Sequence, residues 1–151
     1  MSNATLRYSL LAFALWLPLQ HSVAADKAEG SGKATVEKLI SQDERPDPAT
    51  AIQLAKSGAV LVDVRSAEEW ADGHAKGALF MPWRSIKDEA PKQIANKDTP
   101  IITYCAVGMR AKFAASSLRD LGYTHVLAMK NGFDEIKAAG YEVETTVPPG
   151  K

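Results

Sequence analysis

The sequence predicts an α/β fold with a central, mainly parallel sheet and helices on both faces. Three observations predict it. Short, mainly apolar runs recur at residues 59–64, 78–81, 100–104 and 125–129, the first of them β-branched. Segments with helical signals lie between them, and strands that alternate with helices pair in parallel through crossover connections. Two of the runs, A-V-L-V-D-V and P-I-I-T-Y, also lack the polar alternation of a half-exposed strand, so both of their faces are covered.

The elements follow in order. Asp47 and Pro48 start a helix, with a capping carboxylate and a proline at the first helical position. Ile52, Leu54 and Ala55 give it an apolar face, and Gly58 stops it. The strand at 59–64 leads to Ser66 and Glu69, a capping box that opens a brief helix through Trp70. Asp72-Gly73-His74 reads as a turn. A strand at 78–81 ends at Pro82, and a helix at 85–95 is interrupted by Pro91. The strand at 100–104 runs directly into Cys105. A helix at 110–121 is closed by Gly122, and a strand at 125–129 follows. Asn131-Gly132 then turns into a last helix at 133–139, ended by Gly140.

The chain of 151 residues suits one domain. At 46% hydrophobic and 24% charged residues it can bury a core without a metal or disulfide staple. Lysine plus arginine and aspartate plus glutamate both number 18, which gives no reason to invoke nucleic acid or an anionic membrane. Residues 1–25 read as a signal peptide. Arg7 precedes the apolar run at 10–19, and small residues stand at Ser22, Ala24 and Ala25. The run is short for a membrane span. Cleavage after Ala24 or Ala25 removes one charge, Arg7, and leaves a near-neutral chain, periplasmic or secreted, with no membrane association. Residues 26–46 read as a flexible arm with a short helix near 35–40, residues 47–145 as the domain, and 146–151 as a disordered tail.

The single cysteine excludes a disulfide within the chain. Cys105 stands at the carboxyl end of a buried strand, where parallel sheets place their working sites. The segment C-A-V-G-M-R, from Cys105 to Arg110, lies between that strand and a helix start. Such a turn can curl its N–H groups around one point, and a helix amino-terminus behind it favours negative charge there. Gly108 permits a conformation that a side chain would oppose, and Arg110 adds a positive charge. Each feature favours a thiolate over a thiol, and equally the terminal sulfur of a persulfide. Nucleophilic transfer in two steps follows, with no metal or redox cofactor required. His74 and His125 lie far apart, and with one cysteine they give a zinc site little support.

The segments L-V-D-V-R (61–65), E-E-W (68–70), G-H-A-K-G-A (73–78), M-P (81–82), Y-C-A-V-G-M-R-A (104–111), L-G-Y (121–123) and N-G-F (131–133) occur in one order. Together they resemble the rhodanese family over residues 47–143. The resemblance implies the rhodanese-like fold and a sulfurtransferase in which Cys105 carries the sulfur. It further implies that the amides of Ala106, Val107, Gly108, Met109 and Arg110 form the cradle, and that Asp63 and Arg65 are supportive. The partners it implies are a small sulfur donor (thiosulfate or a persulfide) and a thiol or cyanide acceptor. Two departures stand out. Ala106, Val107 and Met109 replace the extra basic loop residue of many thiosulfate-using relatives, and Ala111 replaces a serine. The first weakens the case for thiosulfate as the physiological donor; the second removes one hydrogen bond to the persulfide and implies slow activity with the standard donor.

Two alternatives stay open on the residues. One is a persulfide carrier that hands sulfur to a protein acceptor. The other is a cysteine-dependent phosphatase or arsenate reductase, which the short loop disfavours because phosphatase loops are longer between cysteine and arginine.

Overall fold

The computed structural model describes residues 23–42 and 45–149. Four parallel strands form the central sheet: β1 (Val60–Asp63), β3 (Leu79–Phe80), β4 (Ile101–Tyr104) and β5 (Val126–Ala128), in the order β3-β1-β4-β5. Register runs from Val60 opposite Ile101 to Asp63 opposite Tyr104, and from Ile101 opposite Val126 to Thr103 opposite Ala128. The sheet's two central strands are the two runs that read as covered on both faces.

Alternate side chains on a strand point to opposite faces. Val62, Ile101, Val126 and Ala128 face one core, which is filled by α4 (Ile86–Gln93) and α5 (Met109–Asp120) through Ile86, Ala90, Ala111, Ala114, Ala115 and Leu118. Leu61, Ile102, Tyr104 and Leu127 face the other. There α1 (Val23–Ser41), α2 (Pro48–Lys56) and α6 (Phe133–Ala138) pack through Val36, Ala51, Leu54, Phe133 and Ile136. The three small alanines of α5 let it lie close over the sheet, and Thr103 Oγ1 donates to Ala111 O at 2.9 Å to fix that approach.

Local signals hold at both predicted caps. Asp47 accepts from the Thr50 N–H at 2.7 Å, and Ser66 and Glu69 complete a reciprocal capping box at the start of α3 (Ala67–Ala71). Helix α4 continues through Pro91 rather than breaking there; the proline falls in its last turn, where the lost N–H removes a single bond.

Three further expectations are corrected. The arm at 26–46 is not loose along its length, because α1 lays Val36, Leu39 and Ile40 against the second core and Glu37 pairs with His125 at 3.2 Å. Those apolar residues sit at helical spacing, which outweighs the polar composition around them. His74 is not part of a turn. It opens β2 (His74–Ala75), which pairs antiparallel with β6 (Val143–Glu144). The tail is likewise held as far as it is described: His74 Nε2 meets Thr146 Oγ1 at 3.3 Å and Pro148 is buried. The signal peptide falls on residues 1–25, of which 1–22 lie outside the described residues. No helix among the described residues is long and apolar enough to cross a membrane.

Val36→Ala should lower unfolding free energy by about 2 kcal/mol, the value of two buried carbons plus a small cavity. A urea titration checks this. A solvated arm would instead leave the midpoint unchanged.

Candidate active site

The chain leaves β4 at Tyr104 and enters α5 at Met109, so Cys105 to Gly108 make the whole connection. Gly108 caps α5 in the left-handed region, at φ 85° and ψ −10°. A Cβ there would stand 2.6 Å from the Lys130 carbonyl, so conformation and space both demand glycine. This geometry turns the Gly108 N–H back onto Cys105 Sγ, at 3.1 Å. At the reduced sulfur this is the amide contact formed within the loop; the remaining cradle amides of Ala106, Val107, Met109 and Arg110 make no such bond to Sγ.

Cys105 is fully buried, whereas Val107 is 80% and Met109 60% exposed. The thiol therefore forms the floor of the loop and these two side chains its outer rim.

The loop is gripped from several sides. The Phe133 N–H donates to the Cys105 carbonyl at 2.9 Å. Gly132 presses so near that a Cβ there would fall 1.6 Å from the Ala106 carbonyl oxygen. The Asn131-Gly132 signal that read as a simple turn is thus a close backbone approach to the loop.

Arg110 stands in the first turn of α5, and its charge is matched. Its Nη1 and Nη2 donate to Glu69 Oε2 and Oε1 at 2.6 and 2.7 Å, a two-pronged pair that is about one-third exposed. This pairing, foremost among its contacts, raises the Arg110 pKa, and the nearby Cys105 sulfur contributes. In return the Arg110 hydrogen bonds hold Glu69 at about 2, with help from the Ser66 N–H. Glu69 is a site residue that the sequence reading took only as a cap. It serves both purposes, since Oε2 also accepts from Ser66 N at 2.9 Å.

Asp63 and Arg65 lie behind the loop. Arg65 Nε and Nη2 donate to the Asp63 carboxylate at 2.7–3.0 Å, and Nη2 also donates to Gly73 O at 2.6 Å. The guanidinium lies over the Phe133 ring at 4.1 Å. Their contacts therefore reach Cys105 through Phe133. His74 is buried, stacks on Trp70 at 3.4 Å and meets the Trp70 carbonyl through Nδ1 at 3.0 Å, a structural hydrogen bond. Among the described residues, no group of three or more His, Cys, Asp or Glu side chains is placed to hold a metal ion.

A lone thiol at a parallel strand tip, beneath a glycine-capped turn, defines the class of α/β proteins that do cysteine-based group transfer. Comparison with known proteins narrows the class. The rhodanese-like domain family matches residues 47–139. Thiosulfate sulfurtransferase GlpE of Pseudomonas putida is 36% identical over 107 residues, covering 70% of this chain and 94% of the relative. The Haemophilus influenzae protein of the same name is 33% identical over 99 residues, covering 66% and 92%. The solution structure of the rhodanese-like domain from the Anabaena sp. Alr3790 protein superposes with a TM-score of 0.60 at 26% identity, covering 71% of this chain and 83% of that one. The chain belongs to the rhodanese-like domain family and is a sulfurtransferase.

Because the Glu69 carboxyl is held down from 4.5 to about 2, its tie to Arg110 is fully present above pH 4.5 and is lost as pH falls toward about 2. Glu69→Gln should therefore flatten the acid limb of the stability profile in that window. Parallel acid limbs for the two proteins, followed by tryptophan fluorescence, would contradict the pairing.

Proposed function

We propose that the chain transfers sulfane sulfur through a persulfide on Cys105. The thiolate attacks the outer sulfur of the donor, the donor's S–S bond breaks, and the remainder leaves with the electron pair as sulfite or a thiolate. An acceptor nucleophile, cyanide or a thiol, then attacks the outer sulfur and restores the Cys105 thiolate. Each step exchanges one sulfur–sulfur bond for another bond to sulfur, so no external oxidant or reductant enters.

The observation that carries this reading is the Gly108 N–H aimed at Sγ from a glycine-capped turn. A persulfide's terminal sulfur sits about 2 Å beyond Sγ, the length of a disulfide bond. The amides of Met109 and Arg110, on the first turn of α5, suit an anion at that distance. Intact mass of the chain after exposure to donor should show one added sulfur. Cys105→Ser should take up none and lose transfer to cyanide, and equal turnover by both proteins would sink the proposal.

The names of the relatives support thiosulfate as a donor, whereas the loop favours a less charged one. It contributes Ala106, Val107 and Met109 as side chains, and Arg110 is neutralised by Glu69. The rim continues into apolar surface: Phe113, 56% exposed, follows Met109 by one helical turn, and Trp83 lies 6.2 Å from it. This surface favours a persulfide donor and a protein thiol as acceptor over small doubly charged ions. Higher kcat/KM for a persulfide donor than for thiosulfate is expected, and the reverse order would defeat this preference. The proposal includes export to a periplasmic or extracellular space, supported by the apolar run at 10–19 behind Arg7 and the small residues before Asp26.

A further inference from the structure

One side chain from ahead of the family-matched residues, which begin at 47, reaches the Cys105 loop. Arg45 Nη2 donates to the Gly108 carbonyl at 2.9 Å and to the Met129 carbonyl, and Nε donates to the Ala128 carbonyl at 3.2 Å. Ala128 ends β5 and Met129 follows it, so one guanidinium ties the neighbouring strand tip to the last residue of the loop. The adjoining Pro46 carbonyl accepts from the Lys130 N–H at 2.9 Å, which fixes the backbone that delivers Arg45.

The peptide between Gly108 and Met109 is planar and trans, so its carbonyl oxygen and its N–H point to opposite sides. The Gly108 oxygen accepts from Arg45 at 2.9 Å and, at 3.3 Å, from the Lys112 N–H that opens α5, so Arg45 reinforces the helix in turning the Met109 N–H to the opposite side. The Gly108 N–H is meanwhile directed at Sγ. Rotation of this one peptide would move the Met109 donor and strain the Gly108 donor, the two amides nearest the helix start.

We propose that Arg45 is a positioning residue for sulfur transfer. By holding the Gly108 carbonyl on its own side of the loop it aims the Gly108 and Met109 amides at the reacting sulfur. Arg45 does not touch the sulfur itself and acts through the loop. A rigid planar fork is what three fixed carbonyls require, and an ammonium on a flexible stem cannot reproduce it. The proposal rests on the persulfide reading, and deepens it by assigning loop geometry to a segment outside the family-matched domain.

The test compares full-length wild type, Arg45→Met and Arg45→Lys, with rates normalised to sites that load sulfur by intact mass. Arg45→Met should lower kcat about tenfold or more while the donor KM stays within about twofold, because misaimed donors weaken the transition state more than ground-state binding. Arg45→Lys should recover only part of the rate, and added guanidinium should raise the rate of Arg45→Met but not that of wild type. Wild-type kcat per loaded site in Arg45→Met would overturn the proposal, as would full recovery by Arg45→Lys. If Arg45→Met does not fold, Arg45→Lys decides: reduced kcat at unchanged melting temperature supports the role and wild-type kcat overturns it. A failure of the persulfide reading shows separately, as absence of added sulfur on the wild-type chain.

Discussion

The left-handed backbone at Gly108 is the constraint on which the site depends. It lets the chain pass from β4 to α5 within a few residues, and in doing so it points an amide back at the sulfur it has just left. Any side chain there would be strained in backbone and would strike the Lys130 carbonyl. Once that turn is set, the surroundings are shaped to it. Gly132 leaves room for the Ala106 carbonyl, and the Phe133 N–H takes the Cys105 carbonyl. The two sides of the grip come from chain that follows β5, so a sheet edge built by parallel pairing becomes the wall of a reaction site.

Electrostatics at the loop is arranged by pairing. Arg65 is bound to Asp63, Arg110 to Glu69, and Arg45 to three backbone carbonyls. Arg65 and Arg110 thus have their charges matched by carboxylates, whereas Arg45, held by neutral carbonyls, keeps its own. At short range the sulfur meets the Gly108 amide, and Val107 and Met109 present exposed apolar side chains beside it.

Most of this architecture could be read from residue order. The runs around Val62 and Ile102 are apolar without alternation, and that pattern alone places them at the centre of a two-faced sheet. Cys105 and Gly108 were legible because strand, cysteine, glycine and arginine fall in a short span. What escaped was long-range pairing. Glu69 had a local explanation as a cap, and nothing in spacing tells that a residue 41 positions from Arg110 meets it. Arg45 sat in a polar stretch that composition marks as loose. Its partners are carbonyls, which have no sequence signature at all. Strands of two residues, such as β2 and β6, are too short to carry a period.

The complete burial of Cys105 bears on chemical durability. The chain has one cysteine, so a sulfenic acid formed there would find no second thiol within the molecule to rescue it, and further oxidation would be permanent. A fully buried thiol is withheld from casual peroxide and from stray mixed-disulfide partners. Burial thereby preserves the one thiol the chain has.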